Sequence, residues 1–459
     1  MVKNSNTQRN FAEGSVLGHV IRMSVPMMVA QLVNVLYNVV DRVYISNIPA
    51  TGSLALAGVG VSMPVITLIT AFIGLLGQGG VPLCSMARGR GDRPAAESYL
   101  GHAFVLLLMV SVLLMGLIWG FIEPVLIIFG ATADTMSYAR DYLGVYMVGT
   151  PFAMLSLGLN GYINAQGFPR RGMGTVLLGA VSNIVLDPIF IFALDMGVAG
   201  AAWATVISQC ISALWCLSFL SGKKAELRLR RGIFTLNAAT IRAMLSLGVT
   251  NFFVQFTNAL VQTVCNRQLI AWGSELHLSA FVIINSLRLV FMEIVLGFCH
   301  GMQPVLGYNY GAGEKRRVLE CIRFSAIISM LLAVLLWALI ILFPEPIIRI
   351  FTSDAELIEL TRHCSQIYFC GVFLMSLQGV GQNTFMGLGK ARKAVFFSLL
   401  RKAFIVAPLT LWLPGLGLGV DGVFWSEPIS DLLGGGATFI TMLFTVYIPI
   451  RRQCKEENQ

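Results

Sequence analysis

Long stretches without a charged side chain constrain this chain more than any other feature of its sequence. Three windows, 103–122, 196–221 and 324–343, each hold at least 20 residues and no Asp, Glu, Lys or Arg. A helix of about 20 apolar residues crosses the hydrocarbon core of a bilayer. The whole chain shares this character, with 56% hydrophobic residues, 12% charged residues and a mean hydropathy of +0.76. The sequence therefore predicts an all-α, polytopic membrane protein.

Hydropathy along the chain predicts twelve transmembrane helices, with boundaries defined to within a few residues. The predicted spans are 17–45, 55–80, 99–122, 137–162, 170–192, 197–220, 243–270, 278–304, 319–343, 362–386, 394–413 and 419–449. The segment from Met1 to Ser15 is polar, and no small-residue cleavage pattern follows the first apolar stretch. These features argue against a signal peptide.

The basic residues outside the spans alternate along the chain. Every second connection is basic, with Arg88, Arg90, Arg93, Arg170, Arg171, Lys223, Lys224, Arg228, Arg230, Arg231, Lys315, Arg316, Arg317, Lys390, Arg392 and Lys393. The other connections hold mainly acids, namely Glu123, Asp134, Asp195, Glu275, Asp354 and Glu356. Cytoplasmic loops are enriched in Lys and Arg. We therefore expect a multi-pass protein of the plasma membrane with both termini in the cytoplasm.

The composition argues against several other classes of protein. Most of the nine cysteines lie inside apolar spans without metal-ligand spacing, so we interpret them as buried free thiols. No basic stripe with interleaved aromatics accompanies the net charge of +9, so nucleic acid is not an expected partner. The lysine in 379–392 lacks the spacing of a nucleotide-binding loop, and nothing pairs a nucleophile with a base. We expect no enzyme activity and no cofactor.

An internal repeat relates the two halves of the chain. The distance in sequence from Gly79 to Gly301, which we call the repeat offset, aligns several Gly, Pro and aromatic positions. It also pairs Pro82 with Pro304, Pro124 with Pro346, Phe129 with Phe351 and Gly149 with Gly371. With small insertions, Gly167 aligns with Gly387 and Pro188 with Pro408. Each copy holds six helices, an even number, so the copies share one orientation. Parallel repeats of this kind are typical of transporters.

The repeat and the loop charges together predict five segments. These are a cytoplasmic N-terminal tail (1–16), an N-lobe of six helices (17–221), a basic cytoplasmic linker (222–242), a C-lobe of six helices (243–450) and a cytoplasmic C-terminal tail (451–459).

Two acids stand inside predicted spans of the N-lobe, Asp41 in the first and Asp187 in the fifth. Both lie about one turn from the predicted outer end of their helix. Because an ionised acid in hydrocarbon costs a few kcal/mol or more, such residues are functional candidates by default. Asn183 and Tyr37 each precede an acid by four residues and share its helix face, and Thr205 lies at a matching depth in the sixth span.

This oxygen-rich set allows two kinds of chemistry. Asp41, Asn183, Asp187 and Thr205 offer carboxylate, amide and hydroxyl oxygens that suit a Na⁺ ion. The same two acids could instead share protons in coupled titrations. The second half does not copy the set, since Asp187 aligns with Ala407 and Asp41 with Cys265 or its neighbour.

The C-lobe has a candidate polar cluster of its own, formed by Glu293, Arg401, Glu427 and Asp431. Arg401 and Asp431 lie at a shared depth and could pair. A structural ion pair is one interpretation, since buried charges are normally partnered. A role in substrate or proton movement is the other.

Several motifs together resemble one family. They are "YNVVDRVYIS" (37–46), "INAQGFPRRGM" (163–173), "SNIVLDPIFIF" (182–192), "GVAGAAWATVISQ" (197–209) and "GMQPVLGYNYGAGEKRR" (301–317). In order and spacing they resemble the multidrug and toxic compound extrusion (MATE) family, across nearly the whole chain. The resemblance implies two six-helix bundles and an antiporter that exports organic, mostly cationic compounds in exchange for H⁺ or Na⁺.

The resemblance also implies roles for individual residues. The branch with an ion site in its N-lobe matches here at Asp41, Asn183, Asp187 and Thr205, with Tyr37 and Asn160 in the surrounding network. Pro26 matches the proline of the first helix that is thought to allow bending. Another branch uses acids in helices 7 and 10, where this chain has Asn258 and no acid, respectively.

Substrate contacts are expected to be apolar, with Met27, Met28 and Met63 as candidates, although packing is the commoner role of such methionines. The expected partners are small organic cations and membrane lipid, and the expected state is a monomer. One alternative is a lipid-linked oligosaccharide flippase of the same superfamily, whose cavity would be lined with basic residues. Another is a membrane-embedded transferase, which would need clustered Asp-rich or His/Asp motifs.

Overall fold

The computed structural model describes residues 10–49, 51–229 and 236–457, and every regular element within them is helical. The membrane-length helices are α1 (Val16–Ser46), α2 (Gly52–Gly89), α3 (Arg93–Gly120), α4 (Ala133–Ala165), α5 (Pro169–Ala193), α6 (Gly197–Ser221), α7 (Ala238–Trp272), α8 (Glu275–Gly311), α9 (Lys315–Leu342), α10 (Ala355–Phe369 and Val372–Gly387), α11 (Ala391–Trp412) and α12 (Asp421–Glu456). Eleven are single helices, and α10 is a pair bent by 41°.

The predicted class, an all-α polytopic membrane protein, is confirmed. Twelve predicted spans correspond to twelve helices when the bent pair counts as one. The helices run beyond the predicted spans, as α2 does through Arg88 to Gly89, because helical turns continue into the polar zone outside the hydrocarbon. Three predicted segments lie partly outside the described part of the chain. The residues concerned are 1–9 of the N-terminal tail, Arg230 and Arg231 of the linker, and 458–459 of the C-terminal tail.

The backbone repeats at the same offset as the sequence. Four pairs of residues with positive φ are separated by the repeat offset, namely Gly91 and Gly313, Gly167 and Gly389, Asp195 and Gly417, and Gly197 and Gly419. Since positive φ is a sparsely used backbone conformation, this match supports a duplication. It pairs Gly167 with Gly389, two residues beyond the partner that sequence alignment favours.

The starts of corresponding helices obey the same spacing. Asp92 caps α3 by accepting a hydrogen bond from the backbone N–H of Ala95. Thr132 forms a capping box at the start of α4. Its repeat counterpart, Asp354, caps α10 by accepting from the backbone N–H of Glu356. Side-chain oxygens at this position satisfy donors that a helix leaves open, so these residues fix where the helices begin.

The chain divides into two compact units that exchange one half-helix each. Unit 1 contains residues 29–251, and unit 2 contains residues 10–28 and 252–457 of the described chain. The chain therefore passes from one unit to the other inside α1 and inside α7, at points whose separation matches the repeat offset to within one position. The predicted lobes, divided at the linker, stay a prediction; the units assign the first halves of these two helices differently.

Glycines allow the exchanged half-helices to pack closely. In unit 2 a Cβ on Gly301 of α8 would overlap the backbone of Ser24 in α1, and the Ser24 hydroxyl donates to the Phe298 carbonyl oxygen at 2.8 Å. In unit 1 a Cβ on Gly79 of α2 would lie 2.7 Å from the backbone nitrogen of Gly248 in α7. Backbone contact of this kind is how small residues stabilise helix pairs in membranes.

The described part of the linker packs on unit 1. Glu226 forms an ion pair with Arg88 at 2.6 Å, and the Gln166 side-chain oxygen accepts from the Leu227 backbone N–H at 2.9 Å. The backbone N–H of Asn237, at the entry to α7, donates to His102 Nε2 at 2.8 Å. Both ends of the linker are thus fixed to the unit that contains α6 and the start of α7.

The substitution Gly301→Ala is expected to lower stability, because the added methyl group would force the α1 backbone away from α8. Overpacking of this kind costs about 1–3 kcal/mol. The measurement is the fraction of detergent-solubilised protein that stays monodisperse after heating. Gly60→Ala in α2 is the control, since a Cβ there meets nothing within 4 Å. Equal heat resistance of the two variants would contradict the close contact.

Candidate functional site

The end of α5 is built to present an acid. Asp187 is followed by Pro188, which has no N–H to donate, and then by a π-helical turn over Ile189–Ala193. The backbone N–H of Leu194 donates to the Ile189 carbonyl oxygen at 2.9 Å, five residues earlier. Such wide turns inside helices frequently occur at functional sites. Asp187 is fully buried at this place, with 0% exposure.

Four of the predicted residues meet in unit 1, and we call them the acid site: Asp41, Asn183, Asp187 and Thr205. The side-chain nitrogen of Asn183 donates to Asp187 Oδ1 at 3.1 Å and to Thr205 Oγ1 at 3.3 Å. The carboxyl group of Asp41 lies within hydrogen-bonding reach of the Asp187 carboxyl group. All four side chains are buried, so α1, α5 and α6 bring together groups that are distant in sequence.

Three oxygens of the acid site are buried without a hydrogen-bond partner among the described residues: Asp41 Oδ1, Asp187 Oδ2 and Asn183 Oδ1. All three are acceptors, so the atom that each needs is a donor hydrogen or a cation. Two carboxyl groups can bond to each other only when one of them carries a proton. The arrangement therefore has the chemistry of a site for a proton or for a hard cation such as Na⁺.

Two tyrosines and a glutamine near the acid site were not predicted from the sequence. Tyr142 and Tyr146 of α4 stack at 6.0 Å, and Tyr142 lies within electrostatic range of both acids. The Gln209 side chain of α6 donates to the Tyr146 hydroxyl at 3.4 Å. The tyrosines are four residues apart and lie about as far from the outer end of α4 as Thr205 does from that of α6. That depth match was the signal available in the sequence.

The structure separates Asn160 from the acid site. Tyr37 is near it, within electrostatic range of both acids. The Asn160 side-chain oxygen would lie 3.0 Å from a Cβ on Gly172, near the start of α5. Gly172 precedes Asp187 by about four helical turns, or about 22 Å along a straight helix. Asn160 therefore lies far from the acid site, and it could affect ion coupling only indirectly.

The remaining predicted residues of α1 and α2 lie at partly buried positions. Pro26 is inside α1, three residues before the point where the chain passes from unit 2 to unit 1. Met28 packs against the apolar core of unit 2 and Met63 against that of unit 1, while Met27 is partly exposed. Core packing therefore accounts for part of the surface of Met28 and Met63.

Unit 2 contains a group of five charged side chains, four of them buried and Lys402 partly buried, which we call the charge cluster: Arg288, Arg401, Lys402, Glu427 and Asp431. Arg401 forms an ion pair with Asp431. Glu427 binds Arg288 at 2.7 Å and Lys402 at 2.7 Å, and its Oε2 lies 3.7 Å from Arg401 Nη1. Removing one partner of a buried pair leaves an uncompensated charge, so these residues depend on one another.

Sequence reasoning missed two members of the charge cluster. Arg288 in α8 and Lys402 in α11 are charges inside predicted spans, so the rule that selected the acids applies to them equally. Glu293, the fourth residue predicted for the C-lobe, lies five residues beyond Arg288, about 140° around the α8 axis. The structure thus joins Arg401, Glu427 and Asp431 to Arg288 and Lys402, and Arg288 lies on a different face of α8 from Glu293.

The positions of unit 2 that correspond to Asp41 and Asp187 carry no acid, whereas the repeat offset pairs Thr205 with Glu427, which lies within electrostatic range of Cys265. Cys265 of α7 and Thr410 of α11 approach each other at 3.9 Å. The repeat offset carries Asp41 and Asp187 to within two positions of these residues. No group of three or more His, Cys, Asp or Glu side chains that could hold a metal occurs in the described ranges.

Comparison with known protein families gives a separate match for each half of the chain. The sequence profile of the family described as MatE matches the chain twice, over residues 26–189 and 248–412. The two matches start at Pro26 and Gly248, which are separated by the repeat offset. This chain belongs to the MatE family. As a member of that family it is a multi-pass membrane transporter rather than an enzyme.

Individual MatE-family proteins cover nearly the whole chain. The multidrug export protein MepA of Staphylococcus haemolyticus is 25% identical over 439 residues, which are 95% of this chain and 94% of MepA. A structure described as the outward-facing conformation of a multidrug resistance MATE family transporter has a TM-score of 0.90 at 22% identity, covering 98% and 99% of the two chains. A MATE structure in the bent conformation has a TM-score of 0.89 at 23% identity, covering 97% and 98%.

We expect Thr205→Val to weaken the acid site, because valine keeps the shape of threonine but cannot accept the hydrogen bond from Asn183. One such hydrogen bond contributes about 0.5–1.5 kcal/mol. The measurement is heat resistance of the purified protein together with dye efflux normalised to protein amount. Thr205→Ser keeps the hydroxyl and should retain both properties. Loss of function in the serine variant alone would contradict this role.

Proposed function

We propose that this chain is a secondary active exporter of small organic compounds, mostly cationic, driven by the inward movement of H⁺. The observation that carries the proposal is the acid site, where two buried carboxyl groups adjoin and three acceptor oxygens have no partner among the described residues. An intramembrane acid pair that can take up and release a proton is a device for coupling transport to a proton gradient.

Na⁺ is the second candidate for the coupling ion. Asp41, Asn183, Asp187 and Thr205 would supply hard oxygen ligands if Na⁺ were bound there, with Tyr37 beside them. The proton is favoured because two buried carboxylates close to each other repel, and a proton on either one removes that repulsion. The amide nitrogen of Asn183 donates to both Asp187 and Thr205, which occupies lone pairs that a Na⁺ ion would use.

The type of cargo and the location follow from different observations. The names of the MepA relatives support multidrug export, and two uncompensated acids in unit 1 favour cationic over anionic compounds. The alternating basic connections support a plasma-membrane protein with both termini in the cytoplasm. Transport would proceed by alternating access, in which the coupling ion binds one state better and shifts the population toward it.

The first test compares efflux of a cationic dye from everted vesicles for the wild type, Asp41→Asn and Asp187→Asn. Asparagine keeps the shape of the side chain and removes the titrating group, so both variants are expected to lose gradient-driven efflux. A pH gradient is imposed in one series and a Na⁺ gradient in the other. The gradient that drives the wild type identifies the coupling ion.

Asp195→Asn is the matched control for this test. Asp195 is an exposed acid after the same helix α5, with φ of 51°, and asparagine also tolerates that backbone conformation. This variant should export like the wild type. Normal efflux by the Asp41 and Asp187 variants would make the two acids structural and overturn the proposal.

We further propose that α1 rearranges near Pro26 when the acid site changes its occupancy. Pro26 removes a backbone donor inside the helix, close to where the chain passes between units. Cysteines introduced at Val29 or Leu36, both exposed on α1, should change their alkylation rate with pH in the wild type. The change should disappear in Asp41→Asn. Alkylation that ignores pH at both positions would sink the idea.

A further inference from the structure

The charge cluster of unit 2 holds more positive than negative charge. Its members are the cations Arg288, Arg401 and Lys402 and the anions Glu427 and Asp431. Three formal positive charges against two negative charges leave an excess of one positive charge. Arginine stays protonated in proteins, and an uncompensated charge away from water is costly. The cluster therefore needs one more negative charge, or it must lose the proton of Lys402.

The three cations converge on one carboxylate. Glu427 Oε2 lies 2.7 Å from Arg288 Nη1 and 3.7 Å from Arg401 Nη1, while Lys402 donates to Glu427 Oε1 at 2.7 Å. Arg401 also has Asp431, and Arg288 also donates to the Tyr368 hydroxyl at 2.7 Å. Lys402 pairs with Glu427 alone among the described acids and is the most exposed cation, with 14% of its side chain accessible. The excess charge is therefore centred on Lys402.

Buried N–H donors without a partner in the described part of the chain also indicate that the charge cluster can bind an anion. Arg288 Nη2 and Arg401 Nε are buried and have no hydrogen-bond partner among the described residues, while their residues are only 5% and 3% exposed. Buried guanidinium N–H groups usually have partners. Two acceptors, Glu427 Oε2 and Asp431 Oδ2, also lack a hydrogen-bond partner among the described residues, so a bound anion would lie beside Lys402, on the Oε1 side of Glu427 and away from both open oxygens.

The backbone around the cluster is irregular. Arg401 and Lys402 lie in a π-helical stretch of α11, Leu400–Val406, and Asp431 begins another in α12, Asp431–Gly435. Gly434, in the second stretch, would place a Cβ 2.8 Å from Arg401 Cγ. Wide helical turns frequently mark functional sites, and here two of them carry three of the five charges.

We propose that the charge cluster is a binding site for one small monovalent anion, either a halide or the carboxylate of an organic compound. The ammonium group of Lys402 and the open N–H groups of Arg288 and Arg401 are its ligands. Planar guanidinium donors suit a carboxylate, and all three cations can bind a halide. The binding arm of the test is independent of the proposed export function, whereas the transport arm rests on it.

The binding arm measures melting of the purified protein in sodium bromide, sodium acetate and sodium isethionate at equal ionic strength. An anion that binds the folded state stabilises it by mass action, so bromide or acetate should raise the melting temperature by roughly 2–4 °C over isethionate. Lys402→Met removes the excess charge and should abolish the difference. Lys402→Arg keeps the charge and should retain it.

The transport arm distinguishes the two sources of the anion. A rhodamine free acid and its methyl ester differ by one carboxylate, so only the acid can use the site. If the site takes a substrate carboxylate, Lys402→Met lowers the ratio of acid efflux to ester efflux several-fold. If it takes a free halide, the ratio stays constant while bromide stabilisation is lost. Lys393→Met, in the same helix, is the matched control for loss of one positive charge.

The outcomes decide the proposal in each case. An anion-specific melting shift that Lys402→Met abolishes supports it, whichever dye result accompanies the shift. Equal melting in all three salts, or the same shift in wild type and Lys402→Met, overturns it and leaves Lys402 as a neutral amine. Failure of both dyes to leave the vesicles, with the melting shift intact, would count against the export function and not against the anion site.

Discussion

A charge inside a bilayer has no water to solvate it, and the two units of this protein depend on how each one compensates its buried charges. Unit 1 brings two buried carboxyl groups together, and among the described residues neither forms an ion pair, so a proton or a cation is needed to balance them. Unit 2 brings three cations around one carboxylate and adds a second acid to one of them. The two units are copies of one ancestral set of six helices, yet the formal net charge is negative at the acid site and positive at the charge cluster.

The repeat explains the shared framework and also where the copies diverge. Corresponding caps, positive φ angles and close glycine contacts all keep the repeat offset. Gly79 and Gly301 occupy matching positions, and each allows an exchanged half-helix to approach backbone to backbone. The acid pair of unit 1 corresponds to Cys265 and Thr410 in unit 2. Backbone geometry was thus retained at demanding positions, while the side chains near the ends of α1, α5, α7 and α11 took on different chemistry.

The exchange of half-helices links that framework to a mechanism. The acid site is on the part of α1 that belongs to unit 1, while Pro26 is on the part that belongs to unit 2. A change of protonation at Asp41 acts on the same helix that carries Pro26. The helix lacks one backbone hydrogen bond at the proline, which lowers the cost of bending there. This arrangement gives a physical basis for the proposed role of α1 in coupling ion binding to a change of conformation.

The sequence by itself determined the membrane-spanning helices, the repeat and the acids of the site. Each depends on information local to the chain: apolar length, cap residues and the cost of a carboxylate in hydrocarbon. Depth along a helix also follows from sequence, which is why Asp41, Asn183, Asp187 and Thr205 could be grouped before their contacts were known. Only the tertiary structure decided the rest. It placed Tyr142, Tyr146 and Gln209 around the acids, added Arg288 and Lys402 to the charge cluster, and left Asn160 near Gly172. These outcomes depend on which helix faces meet, and the direction in which a face points is set by packing between helices rather than by depth.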